Sequence, residues 1–216
     1  MRINKYLALN LNKSRREADK IIQNKQIKIN GINAELGQII KEDDVLTYKN
    51  EIISTITKHR YYKFYKPKNY ISSRTSQGNG KTIYDLIKNK NLKYSGRLDK
   101  DSEGLMLLST DGIWLNDNSH PSKEIDKEYI VTTDTPNIDL TKFKKSITDN
   151  KETLNIYSIV KKSEKEYHVI LKTGKNREIR RIFEYNNIKI TNLKRISIGN
   201  HTLGNMNIGE IKEIKI

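Results

Sequence analysis

The sequence predicts an α+β protein in two parts. A small helix–helix–hairpin unit over residues 1–48 is joined through 49–60 to a larger unit over 61–216, built on a mixed or antiparallel sheet with flanking helices. Three observations carry this. Ser14-Arg15-Arg16-Glu17 is a capping box that opens a helix, and Asn30-Gly31 shortly after it is a preferred hairpin dipeptide. Leu105-Met106-Leu107-Leu108 is an apolar run too brief for a buried helix and reads as an interior strand. The chain of 216 residues is long enough for one ordinary domain and a smaller one.

In chain order, Ile3 and Leu7 lie at helical spacing. The helix opened by Ser14 buries Ala18, Ile21 and Ile22 and exposes Arg15, Arg16, Asp19 and Lys20, ending near Gln23-Asn24. Ile27-Lys28-Ile29 alternates as a strand before the Asn-Gly turn, and Val45-Leu46-Thr47-Tyr48 forms a further one. Residues 50–60 read as linker with some strand. Tyr61 to Tyr65 is a strand stopped by Lys66-Pro67. A polar loop over 72–80 leads to a short helix over 82–87, and Gly112 to Asn118 suits another helix, broken at His120-Pro121. Lys127 to Val131 is a strand, Tyr157 to Lys172 a hairpin turning at 163–165, and 188–216 alternates as strands around Gly199, Gly204 and Gly209.

Composition narrows the chemistry. Lys and Arg number 41 against 26 Asp and Glu, a net charge of +15, which favours polyanions and nucleic acid first among them. Biased coding toward Lys, Asn and Ile inflates that total, so the arginine clusters at Arg15-Arg16, Arg97, Arg177-Arg180-Arg181 and Arg195 are the more informative feature. The absence of Cys removes disulfides, thiolate nucleophiles and Cys-based zinc sites. Mean hydropathy of −0.77, with no apolar stretch of membrane length and no signal-like N-terminus, points to a soluble, cytoplasmic protein. His59, His168 and His201 lack partners at metal-ligand spacing, and His120 reads as structural.

Chemistry is expected on the loop Gly96-Arg97-Leu98-Asp99, where a carboxylate on a backbone pinned by a buried strand can face a cleft. Asp99, Asp101, Glu103 and Gly104 imitate the start of a calcium loop, but the twelfth position is Thr110 rather than a bidentate Glu. An Asp99–Glu103 pair for glycoside hydrolysis would call for an aromatic-rich, less basic cleft, and aromatics are 7% of the chain.

The run GRLDKDSEGLMLLSTDG resembles the signature of the ribosomal RNA pseudouridine synthases of the RsuA/RluB/RluF type. Lys66-Pro67, Lys127-Glu128-Tyr129, and Gly174-Lys175-Asn176-Arg177-Glu178-Ile179-Arg180-Arg181-Ile182-Phe183 continue the likeness. That last run departs from the family's pattern at Lys175 for Arg and Glu178 for Gln, neither a catalytic position. The N-terminal helices, Arg15-Arg16 and Asn30-Gly31 resemble the S-four RNA-binding module. The closing region, with Leu193-Lys194-Arg195 and Gly209-Glu210, resembles the family's own.

The resemblance implies uridine-to-pseudouridine isomerisation in ribosomal RNA without cofactor or metal, and a monomer is the default expectation. The N-terminal module and Lys100-Asp101-Ser102 lean toward a large-subunit target, with small-subunit RNA also compatible. It implies Asp99 as the catalytic carboxylate, Arg180 as its ion-pair partner, and Tyr129 with Ile179 enclosing the base. Arg97 would hold the flipped nucleotide's phosphate or fill the gap that it leaves. Arg177 and Arg181, one turn apart, would bind substrate, while Arg15, Arg16 and Lys20 contact phosphates. A non-catalytic RNA-binding or ribosome-assembly protein on the same fold is the alternative, against which the joint presence of Asp99, Tyr129 and Arg180 argues.

Overall fold

The structure is a computed structural model, which describes the chain except residues 42, 54–58, 77, 79 and 216. It divides into two compact units, residues 1–60 with 110–112, and residues 61–109 with 113–216.

In the first unit, α1 (Ile3–Asn10) and α2 (Arg15–Gln23) bury Ile3, Leu7, Ala18 and Ile22, pairs four residues apart on one helix face. The capping box forms as expected: the Ser14 hydroxyl accepts from the Glu17 amide at 3.1 Å, and the Glu17 carboxylate accepts from the Ser14 amide at 2.7 Å. Such a cap contributes about 1 kcal/mol. Ile21 is only partly buried, and Asp19 accepts from the Asn4 amide at 2.9 Å.

Strands β1 (Ile27–Ile29), β2 (Ile32–Asn33), β3 (Leu46–Tyr48) and β4 (Glu51–Ile52) form a sheet in the order β2-β1-β3-β4. Asn30 and Gly31 take φ of 51° and 84°, the left-handed pair that a two-residue hairpin requires. Lys49 and Asn50 do the same at 52° and 67°, so β4 pairs with β3 and Ile53 joins the core. The sheet thus runs on past residue 48, into the segment read as linker; residues 54–58 of that segment lie outside the described residues.

The second unit comprises β5 (Tyr61–Lys66), β6 (Lys93–Ser95), β7 (Glu103–Ser109), α3 (Gly112–Asp117), β8 (Lys127–Thr133), β9 (Ser146–Asp149), β10 (Glu152–Asn155), β11 (Ser158–Lys161), β12 (Glu166–Leu171), α4 (Glu178–Tyr185), β13 (Ile190–Ile198), β14 (His201–Thr202) and β15 (Ile211–Ile214). The main sheet runs β11-β12-β8-β13-β7-β5-β15, with β14 beside β13 and β6 beside β7. Its described pairings are antiparallel apart from β13 with β7, which is parallel. The helix expected over 82–87 is a single 3-10 turn at Ile83–Asp85, closed by the Thr82 amide donating to the Asp85 carboxylate at 2.7 Å.

Strand β7 is buried from end to end because both of its faces are covered. Met106 and Leu108 pack with Phe64, Tyr129 and Val131, while Leu105 and Leu107 pack with Tyr65, Leu115 and Ile198. This is why its sequence is a continuous apolar run rather than an alternation. Strand β8 does alternate, burying Lys127, Tyr129, Val131 and Thr133. Ile179, Ile182 and Phe183 of α4 join the cluster that holds Tyr129 and Val131.

The parallel pairing of β7 with β13 depends on Gly104, which sits at φ +115°, where a side chain would place Cβ 2.2 Å from the Arg195 carbonyl oxygen. Backbone cannot yield there as a flexible side chain could. Gly104→Ala is therefore expected to lower stability by at least about 2 kcal/mol, read by denaturant unfolding. A wild-type midpoint would show that the two strands are not locked in this register.

Candidate active site

The loop between β6 and β7 is anchored from three sides. Lys66, fully buried at the end of β5, donates from Nζ to the carbonyls of Pro67 (3.0 Å), Asp99 (2.9 Å) and Ser102 (2.7 Å). The Ser72 hydroxyl donates to the Leu98 carbonyl at 2.6 Å and accepts from the Leu98 amide at 3.2 Å. From β13, buried Arg195 donates through Nε to the Leu105 carbonyl at 2.8 Å and through Nη2 to the Gly96 carbonyl. Gly96 lies so near that guanidinium that a Cβ would stand 3.3 Å from it. The Ser102 amide closes the turn on the Asp99 carbonyl at 3.1 Å.

With its backbone held this way, Asp99 turns a carboxylate that is 31% exposed toward a cavity of about 730 Å³. Tyr129 and Ile179 line the same cavity, with Leu171 and Leu193 adding apolar wall and Arg97 and Arg177 adding charge. The volume lies within the range of about 300–1,000 Å³ that small-ligand sites occupy. Tyr129, Ile179 and Leu193 are nearly sealed from solvent, so a planar ring inside would meet hydrocarbon and an aromatic face.

The arginines are distributed otherwise than the resemblance implies. Arg180 does not pair with Asp99; its Nε lies 3.3 Å from the Asp101 carboxylate, and its Nη2 donates to the Asp101 carbonyl (3.1 Å) and the Ser102 hydroxyl (3.2 Å). Among the described residues the cation paired with the Asp99 carboxylate is Arg177, with Nη1 3.8 Å from Oδ2, and Arg177 also holds both oxygens of Asp101 at 3.3–3.4 Å. Burial pushes the Asp101 carboxyl up, yet Arg177 and Arg180 together outweigh it and hold the group below its ordinary value.

Arg181 is turned away from the cavity. It binds Asp149 and Glu152 of the β9–β10 hairpin, so it is not among the cavity's walls. The reason is local: Arg177 is not helical but sits at φ 50° as the cap of α4, so its side chain does not share a face with Arg181 one turn on. Burial, opposed in part by Asp101, pushes the Arg180 guanidinium down from its usual range.

Glu178, the departure noted above, is buried and organises the segment that carries Arg177. Its carboxylate accepts from the Thr173 hydroxyl (2.7 and 2.8 Å), the Lys175 amide (3.1 Å) and the Asn155 amide (3.2 Å). Lys127 also lines the cavity, its ammonium pushed down by burial and by Arg195 while it donates to the Ile125 carbonyl at 3.0 Å.

Glu103 is withdrawn from any carboxylate pair with Asp99. From β7 it accepts from the Tyr65 hydroxyl of β5 at 3.0 Å and the Asn192 amide of β13 at 2.9 Å, and burial with Glu103 pushes the Tyr65 hydroxyl up to about 12. No group of three or more His, Asp or Glu suited to a metal occurs among the described residues. Arg15, Arg16 and Lys20 lie exposed on α2 of the first unit, and Arg97 is exposed beside Asp99. The sequence gives no sign that Lys66, Ser72 and Arg195 anchor the loop. The Lys-Pro pair and the isolated Arg195 are visible in it, but burial of a cation leaves no mark in composition.

Comparison with known proteins places both units. A family model described as RNA pseudouridylate synthase matches residues 60–185, and the S4 domain model matches residues 1–46. An uncharacterized RNA pseudouridine synthase of Borreliella burgdorferi is 33% identical over 94% of this chain and 85% of its own length. The dual-specificity RNA pseudouridine synthase RluF of Salmonella typhi is 31% identical over 99% of this chain and 75% of its own. A crystal structure of a pseudouridylate synthase superposes with a TM-score of 0.69 at 25% identity, covering 100% of this chain and 96% of the other.

Proposed function

Since this chain belongs to the RNA pseudouridine synthase family and isomerises uridine to pseudouridine in RNA, we propose that its target lies in ribosomal RNA, that of the large subunit favoured, and that Asp99 carries the rearrangement. The observation that supports this most directly is one cavity shared by a pinned carboxylate, an aromatic ring and an apolar wall.

The reaction breaks the bond from uracil N1 to C1′, turns the base, forms a bond from C5 to C1′, and moves the C5 proton off as N1 gains one. No electrons are gained or lost. The target must leave its stack to reach such a cavity. Asp99 would attack C1′ as nucleophile or take the 2′ proton as base. A primary isotope effect with 2′-deuterated uridine assigns the second role, and its absence the first. Arg177 replaces Arg180 as the cation beside Asp99. Tyr129 and Ile179 enclose the detached uracil so that it turns without escaping; stacking on such a ring contributes about 1–3 kcal/mol per base.

Loss of one pseudouridine from ribosomal RNA is expected in cells lacking the protein, read by site mapping. An unchanged ribosomal RNA map would remove ribosomal RNA as the substrate. For the N-terminal unit, Arg15→Ala with Arg16→Ala is expected to weaken RNA binding and flatten its salt dependence by roughly one unit for each phosphate no longer neutralised. A slope equal to wild type would take α2 out of the RNA interface.

A further inference from the structure

A second groove, of about 430 Å³, lies against the catalytic cavity in the same unit, and Arg177 belongs to the walls of both. Its other cations are Arg180 and Lys189, set against a single carboxylate, Glu184, and its floor includes Ile188 and Ile190. The backbone that shapes it is tied down. Asn187 takes the left-handed conformation at φ 58°, the Ile188 amide donates back to the Phe183 carbonyl at 3.0 Å, and the Lys189 carbonyl accepts from the Asp134 amide at 3.1 Å.

The three cations differ in what they already hold. Arg177 and Arg180 are engaged by Asp101, whereas the Lys189 ammonium, on an exposed residue, has no hydrogen bond or ion pair among the described residues. A free cation in the same groove as two isoleucines, next to a cavity that takes a base, is suited to a strand carrying phosphate on one side and a ring on the other.

We propose that this groove binds the nucleotides flanking the target uridine on one side of the same RNA strand, with a phosphate on Lys189 and a base or ribose over Ile188 and Ile190. A chain leaving the larger cavity past Arg177 enters it directly. Asn187 offers a donor and an acceptor to whatever base lies there, so the groove can contribute to choice of sequence. The inference rests on the larger cavity being the seat of the target uridine.

The test measures binding of fluorescein-labelled oligouridylates of three and nine nucleotides to the full chain. Lys189→Ala is expected to weaken the nine-nucleotide probe several-fold and to leave the three-nucleotide probe unchanged. The salt slope of the longer probe should fall by roughly 0.7, the share of one phosphate on a single strand. Lys212→Ala, on the edge strand β15 and in neither cavity, is the control for net charge. The proposal is overturned if Lys189→Ala binds the longer probe as wild type does, weakens both probes alike, or matches Lys212→Ala. Wild-type turnover by Asp99→Asn would instead strike the reading of the larger cavity, so the two failures are distinguishable.

Discussion

Asp99→Asn is expected to leave the fold intact and to lower turnover by at least about a thousandfold, the scale on which removal of a group that reacts with substrate is felt. The separation of fold from chemistry follows from how Asp99 is held. Its backbone carbonyl, not its carboxylate, accepts from Lys66 and from the Ser102 amide, and Asn keeps that carbonyl. Arg177 loses one carboxylate neighbour but retains both oxygens of Asp101. Unfolding should therefore move by no more than about 0.5 kcal/mol. RNA affinity should hold or rise slightly, because a negative charge facing phosphates has been removed. Tritium release from RNA labelled at uridine C5, beside a thermal unfolding curve, reads both quantities. Retention of near-wild-type release would falsify the assignment.

Much of the frame is readable in the sequence because it is written in local chemistry. A capping box, an Asn-Gly turn, an apolar run bounded by polar residues and the alternation over Lys127–Val131 each imply one conformation on their own. The Lys49-Asn50 hairpin escapes such a reading because the pair is a weak marker of left-handed backbone, and the β9–β10 hairpin turns on an equally unmarked Asn150-Lys151. The placing of Asp99, Tyr129 and Ile179 around one space is legible only through the resemblance. Their convergence depends on β8 and α4 packing into a shared cluster, which no local pattern encodes.

The structure places Arg180 on Asp101 and Arg181 outside the cavity, against expectation, for a definite reason. Helical spacing does not apply to Arg177, which lies outside the helix, and the exchange of Arg177 and Arg180 between Asp99 and Asp101 depends on loop geometry that spacing does not describe. Asp101 follows Asp99 by two residues, so a pairing rule read along the chain cannot separate them.

Lys66→Met is expected to cost both stability and rate, and pH separates the two. The substitution leaves three carbonyls, those of Pro67, Asp99 and Ser102, without their shared donor. The Asp99 carbonyl keeps the Ser102 amide, whereas those of Pro67 and Ser102 lose this donor outright; an acceptor so stranded costs about 1–3 kcal/mol, offset in part because a buried charge no longer has to be desolvated. A net loss on the order of 3 kcal/mol is expected in denaturant unfolding. Turnover should fall by about a hundredfold, the consequence of a reacting group drifting by roughly 1 Å once its anchor is gone. In the intact protein, burial pushes the Lys66 ammonium down from 10.5 to about 8, against the pull of Asp99 and Asp101. Between those two values the unfolded chain keeps a proton that the folded chain has released, so the titration of Lys66 adds to stability as pH rises through the window. Activity should move the other way. A neutral amine has two N–H groups for three carbonyls, so the Asp99 turn loosens and turnover declines along a limb near pH 8. The residual activity of Lys66→Met should lack that limb. A wild-type profile that is flat through this range, or an identical limb in the variant, would show that Lys66 does not hold the catalytic loop by its charge.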